Sequence, residues 1–177
     1  MTFFLGEERE KFHKLGDADN GEQIDWEPII SIGTAARKVN LSVSALRKYE
    51  REGLLIFHRT ETGRRLLSRS DIQRIQLIQH MINDVGLNME GIRRLLALLP
   101  CWDLKPCSHE CDRRSSTECQ ARTEPRYPCW MLDRSLCACQ GEDCRNCNVY
   151  RYGAYRAETM KSFLHSHRDR NERNADT

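Results

Sequence analysis

Apolar residues recur at helical spacing soon after residue 30. Four of them stand at i, i+3, i+4 and i+7, namely Ile32, Ala35, Ala36 and Val39. This spacing predicts one buried face of a short helix. The residues before Ser31 are polar and show no sustained period, so residues 1–30 are predicted to form a flexible arm.

A second short helix is predicted a few residues later. Ser42 has a side chain suited to an N-cap, and three apolar residues follow on one face, Val43, Leu46 and Tyr49. Gly53 supplies the left-handed conformation in which many helices end. Two short helices joined by a tight turn are typical of a helix-turn-helix.

The segment after Gly53 predicts a small β-hairpin. Residues 54–56 are apolar and favour a brief strand, residues 60–63 contain turn-forming residues, and residues 66–67 can pair back. A hairpin in this position adds a wing to the helix-turn-helix.

Two further helices are predicted before residue 100. Ser68 or Ser70 is suited to cap the first, which Gly86 ends, and Asn88 is suited to cap the second, which Pro100 closes. The predicted inward residues are Ile72, Ile75, Ile78 (or Gln79) and Ile82 in the first helix and Ile92, Leu95, Leu96 and Leu99 in the second. The pattern therefore predicts a mainly α, winged helix-turn-helix domain over residues 31–100.

Composition agrees with a globular protein. Of the 177 residues, 39% are hydrophobic and 31% are charged. No run approaches the roughly 18–20 apolar residues that a membrane span requires. The short apolar opening is followed at once by charged residues, so we expect a cytoplasmic location and no membrane partner.

Charge is distributed unevenly along the chain. Residues 1–30 contain eight acidic and three basic residues, whereas residues 31–100 contain twelve basic and six acidic residues. An acidic arm before a basic domain suggests a nucleic-acid partner. Solvation of two unrelated surfaces would give the same counts, so charge alone leaves both interpretations open.

The second helix and the hairpin offer a candidate DNA interface. Small and cationic side chains suit a helix that enters the major groove, and arginines on a projecting hairpin suit the flanking backbone or minor groove. The candidates are Ser42, Ser44, Arg47 and Lys48 on the helix and Arg59, Arg64 and Arg65 on the hairpin. Phosphate contacts of this kind predict binding to double-stranded DNA that weakens steeply with salt.

The order of these motifs resembles the MerR family of regulators, and within it the heat-shock-repressor-like branch. The resemblance covers about residues 30–99 and rests on the segments 32–36, 46–54, 63–65 and 71–72. It implies a winged helix-turn-helix that binds a near-palindromic operator as a homodimer. Family members act at promoters, which makes RNA polymerase a further expected partner.

The same resemblance implies roles for individual residues. It assigns DNA contacts to Arg47, Tyr49, Arg64 and Arg65, and Lys48 stands where many members have Tyr. Tyr49 has an alternative place in the core, because it shares a face with Val43 and Leu46.

All nine cysteines lie between residues 101 and 147. In a reducing cytosol such a cluster more often binds a metal or an iron–sulfur cluster than forms disulfides. The predicted metal ligands are Cys101, Cys107, Cys119, Cys129, Cys137, Cys139, Cys144 and Cys147. An iron–sulfur cluster is the preferred cofactor, with zinc or disulfide-switching thiols as the alternatives.

The cysteine-rich region also resembles the small two-CW domain. Cys-Trp pairs occur at 101–102 and 129–130, and a C-x-x-C-x-x-Y motif occurs at 144–150. The resemblance implies a metal-stabilised module over residues 101–148, with Trp102 and Trp130 packed over its site. A helix and a disordered polar tail are predicted over residues 149–177.

No phosphate loop, zinc-protease motif or nucleophile–base pair is present in the sequence, so an enzyme is not expected. The leading hypothesis is a transcriptional regulator of the MerR type whose cysteine module senses redox, oxidant or metal state. One alternative keeps the regulator but makes the module a structural zinc site. Another is a redox or metal-handling protein whose helical domain contacts other proteins.

Overall fold

The computed structural model describes residues 26–99, 101, 119–134, 139–151 and 153. The predicted acidic arm lies outside these residues up to position 25, as do Cys107, Cys137 and the tail from residue 154. The helices of the first part of the chain are α1 (Ile32–Lys38), α2 (Val43–Arg51), α3 (Arg69–Asn83) and α4 (Met89–Ala97).

Helices α1 and α2 form the predicted helix-turn-helix. Both begin at a serine cap, since the Ser31 Oγ accepts the Thr34 N–H at 3.2 Å and the Ser42 Oγ accepts the Ala45 N–H at 3.1 Å. The turn between them passes through Asn40, whose φ of 52° is left-handed, a conformation that Asn tolerates better than most residues. Ser42 therefore caps α2 as predicted, and Gly53 follows its end with the predicted left-handed conformation.

The wing is a three-stranded antiparallel sheet. Its strands are β1 (Ile30–Ser31), β2 (His58–Arg59) and β3 (Arg65–Leu67), in the order β1-β3-β2. The turn at residues 60–63 and the returning strand at residues 66–67 were predicted, but β1 was not, because a two-residue strand leaves no pattern in the sequence.

The strand predicted at residues 54–56 is wrong. These residues form a connector between α2 and β2 whose backbone donors are used elsewhere. The Leu54 N–H reaches the Tyr49 carbonyl at 2.9 Å, and the Ile56 N–H reaches the Tyr150 hydroxyl at 2.8 Å. Leu54 and Leu55 are buried as core residues without belonging to a strand.

Helix α3 begins with a capping box at Ser68, which decides between the two predicted caps. The Ser68 Oγ accepts the Asp71 N–H at 3.0 Å, and the Asp71 carboxylate accepts the Ser68 N–H at 2.8 Å. Helix α4 is capped by Asn88 as predicted. The core lies between α1–α4 and β3, and its buried members include Ala35, Leu46, Leu67, Ile75, Ile78, Ile92 and Leu96.

The cysteine-rich region contributes short elements. They are α5 (Gln120–Thr123) and two 3₁₀ helices, Cys129–Met131 and Cys144–Asn146. Residues 148–151 are helical, which is the described part of the helix predicted from residue 149. Across the described ranges, every helix is too short or too polar to cross a membrane.

Candidate nucleic-acid interface and cysteine cluster

The solvent side of α2 carries small and cationic residues. Ser42, Ser44, Arg47 and Lys48 are exposed, and the Ser42 and Ser44 hydroxyls are 2.8 Å apart. These four residues are called the α2 face below. Their side chains are short enough for close approach to a groove or charged enough to neutralise phosphates.

Tyr49 lies on the opposite side of α2. Its side chain is 6% exposed and belongs to the hydrophobic core, and burial raises the pKa of its hydroxyl. Tyr49 is therefore a core residue, which was the alternative prediction, and it is not part of the interface proposed below.

The wing is tied to the last turn of α2 by one carboxylate. The Glu50 Oε1 lies 2.8 Å from the Arg59 Nη2, and the Glu50 Oε2 lies 2.9 Å from the Arg65 Nε. Arg64 is exposed, beside a turn in which Gly63 has a φ of 77°. The three predicted wing arginines therefore lie beside α2, two of them oriented by Glu50.

Four of the predicted cysteine ligands lie close enough to interact. The pKa of the Cys129 thiol is raised, first by its hydrogen bond with Cys101, then by burial and by the nearby thiols of Cys144 and Cys147. Cys139 joins Cys129, Cys144 and Cys147 in lining a narrow cavity of about 20 Å³. The cluster of Cys101, Cys129, Cys144 and Cys147 is called the thiol cluster below.

Other predicted ligands are placed differently. Cys119 directly precedes α5, and Cys107 and Cys137 lie outside the described residues. Sulfur donors are what zinc and iron–sulfur clusters prefer, so the thiol cluster fits such a group in its chemistry. Among the residues that the structure describes, no three His, Cys, Asp or Glu side chains are already arranged as metal ligands.

Trp130 and Tyr150 attach the cysteine-rich region to the helix-turn-helix domain. The Trp130 indole N–H donates to the Gly53 carbonyl at 2.8 Å. The two rings meet edge to face, with centroids 5.3 Å apart. Trp130 lines the cavity beside Cys129 and also packs on the core, which extends its predicted role as a packing residue over the site.

Arg74 is a buried cation at the centre of this attachment. Its Nε donates to the Leu54 carbonyl at 2.8 Å, and its Nη1 donates to the Tyr150 carbonyl at 2.6 Å. Its guanidinium lies 4.3 Å from the Tyr150 ring centroid and is only 1% exposed. Sequence reasoning missed Arg74. A usable signal was its place four residues before Ile78, which puts both residues on one face of α3.

Arg145 makes a second attachment at the wing. It lies between Cys144 and Cys147, hydrogen-bonds the His58 ring on β2, and its Nε donates to the Asp143 carboxylate at 3.0 Å. Desolvation acts to raise the pKa of Asp143, but the hydrogen bonds and the charge of Arg145 together lower it below its ordinary value. A cavity of about 220 Å³ adjoins these residues and is also lined by Trp26, Asp71 and Tyr150.

Comparison with known proteins identifies the first part of the chain. Residues 30–99 match the family model "MerR HTH family regulatory protein". The chain is 35% identical over 71 residues to the putative heat shock protein HspR of Streptomyces coelicolor, covering 40% of this chain and 47% of the relative. It is 33% identical over 81 residues to the transcriptional regulator ZntR of Escherichia coli, covering 45% and 54%.

Two further proteins are similar. A probable heavy metal-dependent transcriptional regulator of Haemophilus influenzae is 39% identical over 70 residues, covering 39% of this chain and 54% of the relative. The solved structure of HiNmlR, a MerR family regulator lacking the sensor domain and bound to promoter DNA, is 28% identical with a TM-score of 0.36, covering 54% of this chain and 71% of that chain.

The chain spans about half the length of the curated relatives it matches. The expected resemblance is confirmed for residues 30–99, and the relatives are named as regulators rather than enzymes. The family match ends before the first cysteine, so the two-CW resemblance stays a prediction.

Proposed function

We propose that this chain, whose residues 30–99 are a MerR-type helix-turn-helix domain, is a DNA-binding transcriptional regulator. The α2 face enters the major groove, and Arg59, Arg64 and Arg65 reach the flanking backbone or minor groove. The observation that carries this proposal is the bridge from Glu50 to Arg59 and Arg65, because it holds the cationic wing beside the exposed cations of α2.

DNA binding is tested with the full chain and a library of duplexes from the region upstream of its own gene. Fluorescence anisotropy over a salt series should find one duplex bound more tightly than its scrambled version, with affinity falling steeply as salt rises. Equal binding to native and scrambled duplexes at every salt concentration would count against a sequence-specific regulator.

Contact residues are tested with Arg47→Ala and Arg64→Ala. Each should weaken operator binding by about 1–3 kcal/mol if the side chain reads a base edge, or flatten the salt dependence by about one phosphate contact if it does not. Arg94→Ala is the matched control, because Arg94 is an exposed arginine on α4 that pairs with Glu90. If all three variants behave alike, the loss reflects net charge and the assigned contacts are wrong.

The operator is proposed to be near-palindromic and bound by a homodimer, with RNA polymerase recruited at the same promoter. Sedimentation equilibrium of the full chain, alone and with operator, tests the dimer. A monomer in both samples would contradict it.

The cysteine-rich region is proposed to sense metal, oxidant or redox state through an iron–sulfur cluster or zinc. The thiol cluster supports this, because the four thiols are near one another and attached to the DNA-binding domain through Trp130. A structural zinc role is the alternative, with the same ligands and no effect on DNA binding.

Anaerobic purification with metal analysis and a visible spectrum separates these options. Brown protein containing iron and sulfide indicates a cluster, and colourless protein with stoichiometric zinc indicates a zinc site. Cys129→Ser should lose the metal, whereas Cys111→Ser should keep it, because Cys111 is outside the proposed ligands. Metal-free wild-type protein would refute the metal-binding proposal while leaving DNA binding intact.

A further inference from the structure

We propose that the segment from Cys144 to Tyr150 couples the chemical state of its two cysteines to the position of the wing. The relay runs through the Tyr150 hydroxyl to the Ile56 amide and is held by Arg74. This inference rests on the proposed DNA-binding function and names the residues through which the wing is controlled.

The first step lies within the segment itself. Cys144 begins a 3₁₀ helix, the Cys147 N–H reaches the Cys144 carbonyl at 3.0 Å, and the Arg151 N–H reaches the Cys147 carbonyl at 2.9 Å. The two cysteines and Tyr150 therefore share one short hydrogen-bonded unit. A change in the positions of the cysteine sulfurs moves the tyrosine with them.

The second step lies at the wing. Tyr150 accepts the Ile56 N–H at 2.8 Å, and Arg145 of the same unit hydrogen-bonds His58 on β2. Ile56 belongs to the connector, whereas His58 belongs to β2 itself. The unit thus holds the connector just before β2 and also holds β2 beside Arg59.

Arg74 disfavours states that lie between a docked and a released segment. It donates from one buried guanidinium to the connector at Leu54 and to the segment at Tyr150. If the segment loosens without admitting water, the buried cation loses a charge-assisted hydrogen bond and an aromatic partner with nothing to replace them, which is costly. The segment is therefore either docked or released, and a partly loosened state is disfavoured.

The functional consequence concerns Arg59 and Arg65. With the segment docked, the connector is fixed and both arginines stay on Glu50 beside α2. With the segment released, the Ile56 N–H loses its acceptor on Tyr150, His58 of β2 loses its hydrogen bond with Arg145, and the wing loses its fixed position. Perturbing Cys144 and Cys147 should therefore weaken DNA binding through the wing.

The test is a double-mutant cycle in the full chain. Cys144→Ser with Cys147→Ser should weaken DNA binding at least about fivefold in the wild-type background, the lower end of usual allosteric couplings. In a background that combines Tyr150→Phe with Arg145→Ala, the same serines should change affinity by less than about twofold, because both contacts of the segment with the connector and β2 are already removed. Tyr127→Phe is the matched control background, because the Tyr127 ring packs under Arg93 and outside the relay; there the serine effect should persist in full.

Amide hydrogen exchange provides a readout that does not depend on DNA. Tyr150→Phe and the double serine variant should each speed exchange in the peptide around Ile56, whereas Tyr127→Phe should not. Equal serine effects on affinity in all three backgrounds, or unchanged exchange around Ile56, would overturn the relay. Absence of DNA binding in every protein would overturn the proposed function instead, and the exchange data would still decide the coupling.

Discussion

Glu50 and Arg65 form an ion pair between the last turn of α2 and strand β3, with the Glu50 Oε2 2.9 Å from the Arg65 Nε. Because the other oxygen of the same carboxylate holds Arg59, Glu50 both orients two wing arginines and neutralises part of their charge. The approach of a phosphate backbone would compete with this carboxylate for the arginines.

Glu50→Gln should make the salt dependence of DNA binding steeper. Two arginines become fully available to phosphates, and each added contact raises the slope of log K against log salt by about 0.9. Anisotropy over a salt series measures this slope. Glu90→Gln is the control, since Glu90 also holds two arginines, Arg93 and Arg94, on α4; an equal change in the control would mean a general effect of net charge.

Arg74→Met should lower the free energy of unfolding by about 2–5 kcal/mol, because the carbonyls of Leu54 and Tyr150 each lose a buried donor. Urea denaturation measures the change. Gln76→Met, at an exposed position of the same helix, should change stability by less than about 0.5 kcal/mol. Similar losses of unfolding free energy in both variants would show that the hydrogen bonds of Arg74 do not stabilise the protein.

Gly53→Ala should destabilise the protein more than Gly63→Ala. Both glycines have a left-handed φ, 74° and 77°, so both variants share a backbone penalty of about 1 kcal/mol. A Cβ at Gly53 would lie 1.8 Å from the Met131 Sδ, whereas nothing lies within 4 Å at Gly63. Thermal unfolding compares the stability losses of the two variants. The additional loss in Gly53→Ala measures the cost of displacing the Met131 side chain. Equal losses would show that Met131 moves aside without cost.

The pH dependence of stability should contain a contribution from Asp71. Desolvation raises the pKa of this carboxyl, and hydrogen bonds from Ser68 with the charges of Arg74 and Arg145 offset the rise only in part. The folded state therefore holds the proton more tightly than the unfolded state, so this contribution is present below pH 3.8 and is lost as pH rises through the raised pKa.

Asp71→Asn removes that titration. The stability of the variant relative to wild type should increase from about pH 4 to about pH 7 in denaturation experiments. Glu61→Gln, at an exposed carboxyl in the wing, provides the control and should run parallel to wild type. A falling difference between Asp71→Asn and wild type would mean that the hydrogen bonds from Ser68 outweigh desolvation.

The sequence predicted those parts of the fold that depend on local chemistry. A serine cap located the start of α2 and an asparagine cap that of α4, because a cap acts within one turn of its own helix. The position of Arg74 was not predictable in this way, since its burial depends on Tyr150, which lies 76 residues away. The strand at residues 54–56 was predicted wrongly for the same reason: the partner of Ile56 lies beyond any local pattern.

In the candidate site, too, local features were predictable from the sequence and features that depend on distant contacts were not. Helical spacing placed Arg47 and Lys48 on the exposed side of α2, but spacing alone left Tyr49 with two possible roles, and burial assigns it to the core. Cysteine spacing indicated that residues 144 and 147 act together. The inclusion of Cys101 and Cys129 in the same cluster depends on how distant segments pack.

The hydrogen bond between Ile56 and Tyr150 joins residues 94 positions apart, which has a consequence for synthesis on the ribosome. Ile56 emerges from the ribosome long before Tyr150, because 94 residue positions separate the two in the chain. During that interval the Ile56 amide and the carbonyls that Arg74 will bridge remain solvated. The nascent chain therefore cannot fix the connector that precedes β2 until Tyr150 has left the exit tunnel.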